Sequence, residues 1–176
     1  MVRQVSLKKI IWLGPVVFLI HDLEEVFWTQ PWIEKNRFLF EGTMVERLIQ
    51  AMGYRPVEFG LVVILLTILY GIISYFATRQ INAGMSMNLY VSTILILFVN
   101  VFTHAGQSLI WGMYTPGVVT ALLVVLPYTV IAFRTLKAYH LLTRTTWKTS
   151  PFMSVGMVVI IFGLMIIVRL MARLPA

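Results

Sequence analysis

Five apolar runs, near residues 10–28, 59–77, 87–109, 117–133 and 152–170, each approach the roughly 20 residues that a helix needs to cross a bilayer. Their length constrains the fold more than any other feature of the chain. Inside lipid every backbone N–H and C=O must find its partner within a helix or a closed barrel, and runs this long without polar alternation meet that demand as helices. With 59% hydrophobic and 12% charged residues, the composition lies outside the range of soluble domains. Residues 1–176 are therefore read as one all-α integral membrane domain of about five transmembrane helices. The absence of cysteine removes disulfides and thiol nucleophiles. The first run leads into charged sequence without a small-residue cleavage site, so it is expected to stay in the mature protein.

Late in that first run stands His-Asp-Leu-Glu-Glu, residues 21–25. Three unpaired carboxylates deep in lipid would cost roughly 8–10 kcal/mol, more than the apolar residues of one span return at about 0.3–0.6 kcal/mol each. The groups must lie near the interface, be neutral, or be bound to something. Ionisable residues within a span usually face a partner, a cavity or a substrate, and this makes the segment the first candidate for a functional site.

The net charge of +7 is distributed as topology rather than as a nucleic-acid surface. If five spans alternate, eight basic residues fall on the side of Arg3, Lys8 and Lys9, and six fall on the side of Lys35, Arg37 and Arg173, diluted there by Glu34, Glu41, Glu46 and Glu58. Positive-inside counting then puts the N-terminus in the cytoplasm and the C-terminus outside. The long connection 29–58 carries Phe40, Met44, Val45, Leu48, Ile49 and Met52 among charged residues, a pattern expected of an amphipathic helix at the membrane interface, approached by Trp28 and Trp32. Such a helix either gates a site or caps the bundle. The basic connection 134–151 reads as a cytoplasmic loop or helical extension near acidic headgroups.

On a helix His21 shares a face with Glu24 and Glu25, and His21 with Glu25 has the four-residue spacing by which one helix offers two ligands to a metal. The third run contains Asn100 and His104, again four apart, and the fourth opens with Tyr114, Pro116, Gly117 and Thr120. Alternation of five spans brings the end of the first, the end of the third and the start of the fourth to one side, the non-cytoplasmic one in this orientation. The chain resembles the HXXEE family of prokaryotic integral membrane proteins, whose pattern joins HxxEE, NxxxH and YxPGxxT; every element is present here, in order. The resemblance implies a membrane fold and these site positions. It implies no established reaction, although the family has been suspected of being a membrane-embedded enzyme.

The chemistry expected first is hydrolysis of a lipid or membrane-associated substrate. His21, Glu25 and His104 would hold a divalent metal, Zn²⁺ by preference, with an open position for water. Glu24, or Glu25 if the roles are exchanged, would be the general base, and Asn100 and Tyr114 would donate to developing oxyanion charge, with Thr120 one turn inside its helix as a packing or capping hydroxyl. A metal-free version would share its chemical content, though not its motif order, with CAAX-type intramembrane proteases. The alternatives are a proton- or ion-coupled carrier using the carboxylates and histidines as a relay, and a haem protein with His21 and His104 as axial ligands. A purely structural reading pairs Glu24 and Glu25 with Arg or Lys from the long connection. Nothing in the sequence fixes an oligomeric state.

Overall fold

The computed structural model describes residues 2–52 and 55–172, and among them the chain is helical without a strand. Arg173, and the side chains of Arg3 and Met52, lie outside the described residues. The helices are α1 (Val2–Lys35), α2 (Met44–Met52), α3 (Pro56–Arg79), α4 (Met85–Trp111), α5 (Val118–Ala138) and α6 (Arg144–Met171). Helices α3 to α6 are long and apolar enough to cross a membrane. The expected first span lies within α1, whose 34 residues reach about 51 Å at 1.5 Å per residue. Its acidic cluster makes it too polar to rank with the other four.

Helix α1 nevertheless belongs to the core. Leu7, Ile11, Val17, His21 and Val26 are buried, and α3 is its main neighbour. Two residues let it sit close. A Cβ at Gly14 would collide with the hydroxyls of Tyr70 and Tyr128. Pro15 has no N–H for the carbonyl of Ile11, and that oxygen accepts a hydrogen bond from Ser74 Oγ at 3.4 Å instead. Tyr90, Met87 and Ile94 of α4, with Val125 and Leu136 of α5, close the same core from the other side.

The amphipathic segment is helical over a shorter range than its pattern predicts. Gly42 has φ +75°, which interrupts the turn before it, and Phe40 is buried ahead of the helix rather than on it. Thr43 then caps α2: its hydroxyl accepts from the Glu46 N–H at 3.4 Å, while Glu46 Oε2 accepts from the Gly42 N–H at 2.9 Å, a variant of the capping box. The basic connection is shorter too. It turns at His140, φ +57°, and α6 already starts behind Thr143, whose side chain accepts from the Thr146 N–H, so Pro151 lies inside a helix.

Candidate functional site

Helix α5 is shaped at its start by Gly117 and Pro127. Gly117 has φ +87°, and a Cβ there would stand 2.5 Å from His104 Cε1 and 3.0 Å from Glu25 Oε1, so both backbone and space demand glycine. After one turn the helix widens to π geometry over Ala121–Val125, just before Pro127, which cannot supply the N–H an α-helix needs there. Thr120 stands between these two irregularities and faces α1.

Three groups of α5 and its preceding loop converge on Glu24. Its Oε2 accepts from the Thr120 backbone N–H at 2.9 Å and the Thr120 hydroxyl at 2.6 Å, and its Oε1 accepts from the Tyr114 hydroxyl at 2.7 Å. A carboxylate over free N–H groups at a helix start is a favourable pairing. Burial first, and the Glu24 carboxylate after it, push the Tyr114 phenol above its ordinary range, so Tyr114 stays a donor. On the other side of Thr120, its oxygen lies 2.9 Å from His21 Nδ1. Since the one hydroxyl proton goes to Glu24, His21 must donate from Nδ1, and this leaves the Nε2 lone pair as an acceptor. Asn100 Nδ2 meets that lone pair at 2.9 Å.

Glu25, one residue on, turns toward α4. Its Oε1 lies 2.8 Å from His104 Nε2 and 3.8 Å from His21 Nε2. The two imidazoles meet edge to face with centroids 5.0 Å apart, and both are buried. Ligand atoms of His21, Glu25 and His104 all lie within 4.8 Å of one another. Tetrahedral zinc with bonds of about 2.0–2.1 Å sets its ligand atoms roughly 3.3 Å apart, a value between the two carboxylate–imidazole distances. The His21 tautomer also fits, with the outer nitrogen donating and the inner one able to ligate once an ion displaces the Asn100 amide from it. This cluster could hold a metal.

Every site residue read from the sequence, His21, Glu24, Glu25, Asn100, His104, Tyr114 and Thr120, is thus brought to one place. Among the described residues Glu24 and Glu25 do not pair with basic residues of the long connection: Arg37 pairs with Glu46 at 3.5 Å and Arg55 with Glu58 at 3.1 Å. Thr120 is no mere packing or capping hydroxyl, because it bridges Glu24 and His21. Tyr114 spends its proton on Glu24.

Two cavities meet at the cluster. The larger, about 430 Å³, lies among α1, α3, α4 and α6 and is lined mostly by apolar side chains, with Asp22 and Asn100 among the few polar ones. The smaller, about 200 Å³, lies under α2, with Trp32, Trp111, Thr115 and Ile49 in its wall. Glu25, His104 and Gln107 line both. Trp32 stacks on Trp111 at 5.1 Å and donates from its indole to the Tyr114 carbonyl at 2.7 Å, tying the end of α1 to the loop before α5. Asp22, Gln107 and Thr115 escaped the motif reading. Asp22 sits beside His21 in sequence, and its position one turn before Glu25 was the available signal.

A family model described as "Protein of unknown function with HXXEE motif" matches residues 12–132. The chain belongs to this HXXEE family. The matched stretch contains every residue of the His/Glu/Asn cluster and its Tyr114–Thr120 support, and it ends before α6. No curated protein and no solved structure matches the chain.

Proposed function

We propose that this HXXEE protein is a membrane-embedded hydrolase of lipid or membrane-associated substrates, in which His21, Glu25 and His104 hold a divalent metal, zinc by preference. The observation that carries the reading is the approach of Glu25 Oε1 to both imidazoles beside two cavities. A bound ion would polarise a substrate carbonyl and lower the pKa of water toward 7. The chain's own residues supply the rest. Thr120 and Glu24 fix the His21 tautomer. Asn100 Nδ2, beside His21 Nε2, donates toward oxygen charge that develops on the substrate. With Glu24 held by Tyr114 and Thr120, the carboxylates left to take the proton of attacking water are Glu25 and Asp22, which line the same cavity.

The reading includes a prokaryotic cell membrane as location, a cytoplasmic N-terminus, and a site toward the non-cytoplasmic side. It is favoured over haem because Glu25 Oε1 occupies the space near both imidazoles, where a porphyrin would have to pass. It is favoured over a carrier because the cluster groups ligands around a point rather than stringing them across the bundle. The test is to assay purified protein in lipid nanodiscs against a panel of lipid esters and amides. Wild type should convert at least one and Glu25→Gln none; conversion by neither, with a solute moved across vesicles by wild type, would replace this reading with the carrier.

A further inference from the structure

The two cavities differ in chemistry, and their junction is the cluster. The larger is walled by residues such as Val62, Leu66, Leu97 and Ile161, and its lining residues Leu69, Ile160 and Phe162 are exposed on the outer face of the bundle, where lipid chains lie in a membrane. Its volume of about 430 Å³ lies at the lower end of the roughly 300–1,000 Å³ of pockets that hold one small ligand, which matches one hydrocarbon chain rather than two. The smaller cavity is more polar. His104 and Thr115 line it, and His104 Nδ1 and Thr115 Oγ1 are buried without a hydrogen-bond partner among the described residues. Groups left so are expected to find partners in water or a ligand. Among the described residues neither lining contains Lys or Arg, the side chains by which phosphate is ordinarily recognised, while Glu25 lines both.

We infer that the two cavities are halves of one binding site for a single-chain amphiphile with an uncharged, hydroxyl-bearing head, the chain in the larger half and the head in the smaller. This rests on the hydrolase reading only for what happens next. A monoacyl ester so placed has its carbonyl at Glu25 and His104. Water adds its oxygen to the acyl carbon, the acyl C–O bond breaks, and the departing alcohol oxygen leaves with a proton, giving a fatty acid and a polyol. The head lies among hydroxyl and indole groups, and the fatty-acid chain lies beside the lipid from which it came.

The test separates binding from turnover. Full-length protein in phosphatidylcholine nanodiscs is titrated with three ether lipids that cannot be hydrolysed: a monoalkylglycerol, a dialkylglycerol and a monoalkylglycerol phosphate. The monoalkylglycerol should bind at least about tenfold more tightly than either of the others, and Leu66→Trp and Ile161→Trp, which fill the larger half, should each weaken it by roughly tenfold. Equal or tighter binding of the phosphate or the two-chain lipid overturns the inference, as does wild-type affinity in whichever filling variant folds. If the ether lipids discriminate as stated but no monoacyl ester is converted, the binding site stands and the hydrolase reading fails.

Discussion

Thr120 gives Glu24 both its backbone N–H, at 2.9 Å, and its hydroxyl, at 2.6 Å. The contact joins the C-terminal half of α1 to the start of α5, and through the same hydroxyl it orients His21. Glu24 is therefore held by α5 and the loop before it, whereas its neighbour Glu25 faces the cavities. Two adjacent residues of one motif have separate work.

Glu24→Gln and Thr120→Val should each lower the melting temperature of the purified protein. Hydrogen bonds to a charged group contribute about 1.5–3 kcal/mol, and an abandoned partner in a buried site adds its own penalty. Thr120→Ser keeps the hydroxyl and should recover most of the loss. Thermal unfolding of the four proteins in one detergent decides; equal midpoints for wild type and Thr120→Val would mean that the clamp does not hold the bundle.

Gly117→Ala should be far more damaging than Gly112→Ala. Both glycines have positive φ, at +87° and +62°, a conformation that costs a non-glycine residue on the order of 1–3 kcal/mol. Only at Gly117 would the new methyl strike His104 and Glu25; at Gly112 nothing lies within 4 Å. Melting temperature should fall in both variants and ligand binding at the cluster only in Gly117→Ala. Intact binding in Gly117→Ala would show that the loop shifts aside freely.

Much of this arrangement was legible in the sequence, for identifiable reasons. Span lengths gave a helical membrane bundle, and alternation of spans brought HxxEE, NxxxH and YxPGxxT to one side. Spacing of four placed His21 with Glu25 on one face. What spacing could not say was which Glu turned toward which neighbour. Glu24 and Glu25 differ by about 100° around the helix, and only the packing of α1 against α4 and α5 assigns the first to Thr120 and the second to His104. The bridging by Thr120 and the place of Asp22 in a cavity wall were hidden for the same reason, since a side chain acquires its neighbours from the tertiary structure. The late start of the amphipathic helix, at Met44 rather than Phe40, was also local in cause, set by the positive φ of Gly42.

Tyr114 should titrate as a phenol held protonated. Its pKa is raised by burial and by Glu24, so its contribution to stability is full below the ordinary value of about 10 and is lost as pH rises through the higher folded value. An ultraviolet difference titration of wild type against Tyr114→Phe isolates this one phenol. It should ionise above the range of an exposed tyrosine; ionisation at the ordinary value would mean that the bond to Glu24 at 2.7 Å does not persist in the membrane protein.

Asp22→Asn and His104→Ala should fail in different ways. Asp22 lines the larger cavity beside Glu25 but is not among the grouped ligands, so its amide should leave metal affinity within a few-fold while turnover of a converted ester falls by about 10²–10⁴-fold, the usual range for a proton-transfer group. His104→Ala should lose both. Full turnover in Asp22→Asn would return the base to Glu25 alone.

The central claim is that His21, Glu25 and His104 form a metal centre, and direct titration of metal-stripped, purified protein with Zn²⁺ tests it. Wild type and Glu24→Gln, the latter after refolding controls, should each take up one zinc per chain, while His21→Ala, Glu25→Gln and His104→Ala should each lose that stoichiometric site. Wild-type protein that binds no zinc or other divalent ion above the level of the three variants would contradict the account.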